Sequence, residues 1–202
     1  MNIFYSILFG ILGYLLGSLN PAYLISKYIY HIDLKTHGSG NLGGTNAARV
    51  MGKKIGIIVI ILDISKAFIA VMLASIINKD AAIIAGGLAI IGHCYPFYLH
   101  FKGGKGVASY VGYLLALSIF IKVDFIFIFI TPILIFLLVL GLSRMVSLAS
   151  MCLSASACLI SLMIGSNAFI ILLILTALII FKHLDNIKRI IAKQEAKITW
   201  IK

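Results

Sequence analysis

The stretch "IGIIVIILDISKAFIAVMLASII", Ile55 to Ile77, decides the fold. At a helical rise of about 1.5 Å per residue it measures about 34 Å, enough to cross the hydrocarbon of a bilayer. Only Asp63 and Lys66 interrupt its apolar character. Their i, i+3 spacing permits a pair on one helix face. Charges at this depth are expensive, which makes them a functional hypothesis, weighed against the plainer reading of a buried pair that locks helices.

Working outward, further apolar runs lie near 3–24, 81–98, 107–121, 125–143, 146–166 and 168–182. With 55–77 they predict seven transmembrane helices. The runs at 107–121 and 168–182 are short for a span, about 15 residues or roughly 22 Å. Only Lys122, Val123 and Asp124 separate 107–121 from 125–143, so a re-entrant reading of that pair would lower the count. Composition agrees with a membrane protein: 62% of the chain is hydrophobic and 11% charged. A soluble domain carries roughly 25% charged residues. The expected fold class is therefore an all-α integral membrane protein. No repeat or linker divides residues 1–202, which read as one polytopic domain. "MNIFYSILFGILGYLLGS" has no positive segment before its apolar run, so it reads as a retained first span. Cys94, Cys152 and Cys158 all lie in apolar stretches with no CxxC pair, as small buried hydrophobes would.

Orientation follows from the basic residues. With the N-terminus outside, the inner loops and span ends carry Lys27, Lys35, Arg49, Lys53, Lys54, Lys102, Lys105 and Arg144. The tail adds Lys182, Lys188, Arg189, Lys193, Lys197 and Lys202, whereas the outer side holds only Lys79 and Lys122. This is the positive-inside pattern, and it predicts N-terminus out, C-terminus cytoplasmic and an odd number of spans. It also accounts for the net charge of +11 without nucleic acid. The tail "HLDNIKRIIAKQEAKITWIK" gathers isoleucines on one face among basic residues and ends near Trp200, which predicts an interfacial C-terminal helix in contact with membrane lipid.

The polar chemistry collects on the inner side, where His31, His37, His93, His100 and His183 also fall. "GSGNLGGTN", Gly38 to Asn46, reads almost like a nucleotide-binding loop, but Gly44 stands where that motif has lysine and no βαβ unit surrounds it. Its glycines permit close backbone approach, and successive N–H groups in such a loop make an anion nest. Ser39, Asn41, Thr45 and Asn46 add donors, and Arg49 can clamp a phosphate or carboxylate. The alternative is a plain Gly/Asn turn between spans. "GHCYPFYLHFKGGKG", Gly92 to Gly106, places Lys102 and Lys105 around a glycine pair, and ordinary cytoplasmic charge explains the lysines but not the glycines. His93 reads as a hydrogen-bonded structural residue. Ser147 and Ser150, three apart, share a helix face, a spacing that also serves plain helix packing. His183 and Asn186 share a face at i, i+3 and could orient a hydroxyl or a phosphate, or simply end a helix.

"GSGNLGGTNAAR", "GHCYPFYLHFKGGKGVA", "SLAS" and "HLDNIKRIIAKQEAKI" resemble, in order and spacing, the motifs of the acyl-phosphate-dependent glycerol-3-phosphate acyltransferases of bacterial inner membranes. "GYLLGSLNPAYLISK" is similar to that family's first span, so the resemblance covers essentially the whole chain. It implies transfer of an acyl chain from acyl phosphate to sn-glycerol 3-phosphate, giving lysophosphatidic acid and inorganic phosphate on the cytoplasmic side. A seven-span bundle is implied as well. By resemblance, Ser39, Gly40, Asn41, Gly43, Gly44, Thr45 and Asn46 cradle acyl phosphate. Arg49, Lys102, Lys105, Ser147, His183 and Asn186 bind glycerol 3-phosphate. Ser39, His183 and Asn186 are the candidate catalytic residues, with Asn186 orienting the attacking hydroxyl. The enzyme that supplies acyl phosphate is a further implied partner.

The chain departs from the family pattern in places. Gly44 replaces an alanine, Leu184 a basic residue and Ala67 a glycine. Lys193 replaces a glycine after the last motif, which predicts a lost helix stop and a longer tail. The His-x4-Asp pair of soluble-head acyltransferases is absent, and His and acidic residues lack metal-ligand spacing, so no cofactor is expected. A small anion transporter or lipid-binding protein would share the inner basic face. It should also carry paired midplane groups and broken helices from repeated halves, of which only Asp63 and Lys66 are present.

Overall fold

The computed structural model describes residues 3–198, and every regular element among them is helical. The α-helices are α1 (Ile3–Ser18), α2 (Pro21–Tyr28), α3 (Gly44–Met51), α4 (Lys53–Ser75) and α5 (Lys79–Cys94), then α6 (Val107–Ala116), α7 (Thr131–Ser143), α8 (Val146–Met163), α9 (Phe169–Lys182) and α10 (Leu184–Ile191). π-helical stretches at Leu117–Ile121 and Ile126–Ile130 adjoin α6 and α7. Trp200 lies outside the described residues.

Five stretches are long and apolar enough to cross a membrane: Ile3–Tyr28, Lys53–Ser75, Lys79–Leu99, Ile126–Ser143 and Val146–Met163. Phe169–Lys182 and Leu184–Ile191 meet at a 56° bend and make a sixth if taken together, and Val107–Ile121 is apolar but shorter. All seven expected runs are helical, while length and composition secure five or six of them as spans.

The first run is broken. α1 stops at Ser18 and the chain restarts at Pro21. Asn20 is extended and caps α2, its Oδ1 accepting from the Tyr23 N–H at 2.8 Å. Proline suits the first helical turn because its missing N–H would have no partner there.

The chain forms two compact units, Met1–Ala116 and Leu117–Lys202. In the first, α1 lies along α5, and α4 packs on α1, α3, α5 and α6. The α1–α5 seam is made of small residues. A Cβ at Gly13 would fall on the Ala85 carbonyl oxygen, one at Gly17 on that of Ala89, and one at Gly92 on that of Tyr14. Such backbone contact replaces the hydrophobic drive that lipid denies to helix pairs. On α4, Asp63 and Lys66 are both buried and pair at 2.9 Å.

In the second unit α8 packs on α7 and α9, and the Thr176 hydroxyl ties α9 to the Ser154 carbonyl at 3.0 Å. α10 follows α9 directly and presents Asn186 inward with Lys188 and Arg189 exposed. The expected loss of the helix stop does not occur. α10 ends at Ile191 and Lys193 takes φ 56°, the left-handed conformation that glycine would adopt more cheaply. The Lys193 N–H bonds the Ile190 carbonyl and the Gln194 N–H the Arg189 carbonyl, which closes the helix end.

Candidate active site

In the first unit, the glycine-rich loop is folded back on itself by one side chain. Asn46, 1% exposed, accepts the Ser39 N–H at 2.8 Å through Oδ1 and donates through Nδ2 to the His37 carbonyl at 3.0 Å. The turn needs left-handed backbone at Gly38 (φ 61°) and Gly40 (φ 70°), and a Cβ at Gly38 would strike the Asn46 amide. The Gly40 N–H is also spent inside the loop, on the His37 carbonyl. The loop therefore presents the exposed Ser39 hydroxyl, the Thr45 side chain and the opening N–H groups of α3, which starts at Gly44. Donors at the start of a helix have no partner within it and carry its positive dipole end. Arg49 is exposed on the same helix. Asn46 is held inside the loop by these bonds and acts as its brace.

Gly44 matters for packing as well as for the nest. A Cβ there would meet the Ile60 side chain and the Gly56 carbonyl, so the lack of a side chain at Gly44 lets α3 start hard against α4. Leu42 points the opposite way, into a core with Leu34, Ala22, Ala47, Val59 and Leu99.

The second loop turns through left-handed His100 (φ 54°) and Phe101 (φ 58°). It then runs back along the end of α5: the Gly103 N–H bonds the Cys94 carbonyl at 3.1 Å, and the Gly104 N–H bonds that of His93 at 3.1 Å. Lys102 is exposed and Lys105 partly so. Both loops are tied to the α1–α2 break by fully buried Asn20, whose Nδ2 donates to the Leu42 carbonyl at 3.1 Å and whose N–H donates to the Tyr98 hydroxyl at 3.0 Å. The sequence reading passed over Asn20. Its signal was the Asn-Pro dipeptide inside an apolar run.

In the second unit, Ser147 and Asn186 converge on a residue that the sequence reading also missed. Glu195, the chain's only glutamate, accepts the Ser147 hydroxyl at 2.7 Å and the Asn186 amide at 2.6 Å on one oxygen. Its other oxygen accepts from Arg189 Nε at 2.8 Å. His183 is 3% exposed, and its Nδ1 donates to the Ile179 carbonyl at 2.8 Å, which leaves Nε2 as the acceptor of the neutral ring. Ser150 is turned back onto the Val146 carbonyl.

Burial pushes the Glu195 carboxyl up, but hydrogen bonds from Asn186, Ser147 and Arg189, with the Arg189 charge, together hold it below its ordinary 4.5. A lowered carboxyl stabilises the folded tail fully above the ordinary value, and that contribution is lost as pH falls through the lower folded value. Amide exchange across 192–198, corrected for intrinsic rates, is expected to show protection at neutral pH that fades in acid, as pH falls through the lowered Glu195 value. In Glu195→Gln the protection should be weaker at neutral pH and no longer fade with acid. A wild-type tail equally protected at both would refute this.

Among the described residues no group of three or more His, Cys, Asp or Glu side chains could hold a metal ion.

Comparison with known proteins gives a consistent result. A family model described as Glycerol-3-phosphate acyltransferase matches residues 7–193. The chain is 41% identical over 201 residues to a glycerol-3-phosphate acyltransferase of Bacillus cytotoxicus, covering 98% of each. It is 38% identical over 193 residues to one of Bacillus subtilis, covering 95% of this chain and 96% of the relative. Among solved structures, it is similar to PlsY (YgiH), an integral membrane glycerol 3-phosphate acyltransferase, in its glycerol 3-phosphate form, with TM-score 0.86, 33% identity and 96% of each chain covered. The lysophosphatidic acid form of that protein matches with TM-score 0.83 and 32% identity, covering 96% of this chain and 95% of the other.

Proposed function

The chain belongs to the glycerol-3-phosphate acyltransferase family, and from that premise we propose that it transfers an acyl group from acyl phosphate to sn-glycerol 3-phosphate. The products are 1-acyl-sn-glycerol 3-phosphate and inorganic phosphate. The forms in which the two similar structures were solved support this acceptor and this product. We place the protein in the bacterial cytoplasmic membrane as seven spans, N-terminus out, with its chemistry on the cytoplasmic side. The positive-inside distribution supports that placement.

The observation that carries the reading is the braced loop at 38–46. Asn46 spends its amide on closing the turn, and the loop is left to present the Ser39 hydroxyl, the Thr45 side chain and the opening of α3. That is a phosphate and oxyanion cradle without a lysine of its own. The proposal gives acyl phosphate to Ser39, Gly40, Asn41, Gly43, Gly44, Thr45 and Asn46, the last as the brace. It gives glycerol 3-phosphate to Arg49, Lys102, Lys105, Ser147, His183 and Asn186.

Acyl phosphate is a mixed anhydride and already activated, so no acyl-enzyme is required. The glycerol hydroxyl oxygen attacks the carbonyl carbon, the bond from that carbon to the phosphate oxygen breaks, and the hydroxyl proton passes to the departing phosphate. The protein's share is positioning and charge stabilisation. Asn186 orients the hydroxyl, and the Nε2 of His183 accepts a hydrogen bond from glycerol 3-phosphate. A His183→Ala variant is therefore expected to raise the KM for glycerol 3-phosphate. Lost turnover with unchanged affinity would make His183 the general base instead.

The deciding experiment supplies purified protein with palmitoyl phosphate and glycerol 3-phosphate. Phosphate release matched by acylated glycerol 3-phosphate is expected. No release, with anion uptake into vesicles, would replace this reading with a transporter.

A further inference from the structure

Lys66 spends all three of its ammonium protons inside the first unit. Its Nζ lies 2.9 Å from Asp63 Oδ1, 2.7 Å from His93 Nδ1 and 3.0 Å from the Leu19 carbonyl oxygen. Asp63, Lys66 and His93 are respectively 1%, 4% and 3% exposed. An ammonium has donors only, so Nδ1 of His93 meets it with a lone pair and the ring proton sits on Nε2. The 3.1 Å approach of Nδ1 to Asp63 Oδ1 is then a by-product of sharing one cation.

The opposite edge of the same ring supports the second loop. A Cβ at Gly104 would fall on His93 Nε2, and one at Gly103 on the His93 carbonyl oxygen. The loop is thus seated on His93 twice, by the Gly104 N–H bond to its carbonyl and by contact with its ring. Lys102 and Lys105 flank that glycine pair.

We propose that Asp63, Lys66 and His93 are positioning residues that set the height and direction of the Lys102–Lys105 loop. The inference rests on the reading that those lysines hold glycerol 3-phosphate. A pair that only locked helices would be served as well by apolar packing, which is often neutral or stabilising in place of a buried ion pair. Here the pair ends on a ring, and the ring ends on the loop. Asp63 holds Lys66, Lys66 fixes the tautomer and rotation of His93, and His93 fixes Gly104.

Two variants separate this from a structural role. His93→Asn keeps an acceptor near the Nδ1 position and removes the ring edge beneath Gly104. Asp63→Leu/Lys66→Met removes both charges together, so no buried charge is stranded. In each, the KM for glycerol 3-phosphate is expected to rise about tenfold or more, with kcat and the KM for acyl phosphate within about threefold. Amide exchange at Gly103 and Gly104 should accelerate about tenfold. In the wild-type protein the histidine ¹⁵N signals should place the His93 proton on Nε2, a readout independent of whether any variant folds. Wild-type exchange at both glycines in a folded variant, or a proton on Nδ1, overturns the inference. Lys105→Ala in the same assay tests the underlying reading separately: an unchanged KM there removes the loop as a binder whatever the exchange data show.

Discussion

Replacing Ser39 with alanine is expected to slow acyl transfer by about 10²–10³-fold while the protein stays folded in the membrane. The backbone of Ser39, not its hydroxyl, holds the loop together, because the N–H is what Asn46 accepts. The side chain is exposed. Alanine therefore keeps the brace, the left-handed turns on either side and the core beneath, and deletes one donor from the rim. A donor aimed at charge that develops during reaction is worth about 3–4 kcal/mol, because the site has prepaid its orientation. The loss should appear in kcat rather than in thermal stability. Arg49→Ala should be comparably damaging but should appear mainly as a raised KM, because in the role proposed for it, holding glycerol 3-phosphate, its charge would act on ground state and transition state alike. Turnover by Ser39→Ala within about threefold of wild type would remove the loop from the chemistry.

The largest expected effect on folding comes from a residue with no chemistry. Gly17→Leu should abolish recovery of folded protein, because the first side-chain carbon already coincides with the Ala89 carbonyl oxygen. Backbone atoms cannot rotate aside as a side chain can, so α1 must move off α5 along its length. A loss of more than about 3 kcal/mol follows, beyond the usual penalty for an overpacked core. Gly141 is the control. Nothing lies within 4 Å of where its Cβ would be, and Gly141→Ala in mid-helix should raise stability by about 0.5–1 kcal/mol. Size-exclusion profiles and melting temperatures in detergent test both. A monodisperse Gly17→Leu protein with a wild-type melt would contradict the packing described.

The helices were legible in the sequence because lipid imposes its own length rule. Run boundaries erred where charge was taken as a terminator: α4 begins at Lys53 and includes Lys54. Lysines at a membrane edge can extend their stems and keep their heads in water. The α1–α2 break escaped because apolar composition continues through it, and only the Asn-Pro pair marks it.

At the candidate site, the two glycine-rich loops were legible because their pattern is local. What could not be read was long-range. Glu195 meets Ser147 across 48 positions, and Lys66 meets His93 across 27. No periodicity encodes such pairings. A lone carboxylate in a basic tail looks like charge balance until the chain folds it onto Ser147 and Asn186. Lys193 taught the converse lesson. A residue that pattern alone makes a poor helix stop takes the left-handed turn anyway, because the carbonyls of Arg189 and Ile190 bind the two N–H groups that follow.

The α1–α5 seam also bears on the traffic of lipid. Where Gly13 and Gly17 rest on the carbonyls of Ala85 and Ala89, the two helices leave no width for a hydrocarbon tail. A fatty chain diffusing in the bilayer finds a wall there, not a door.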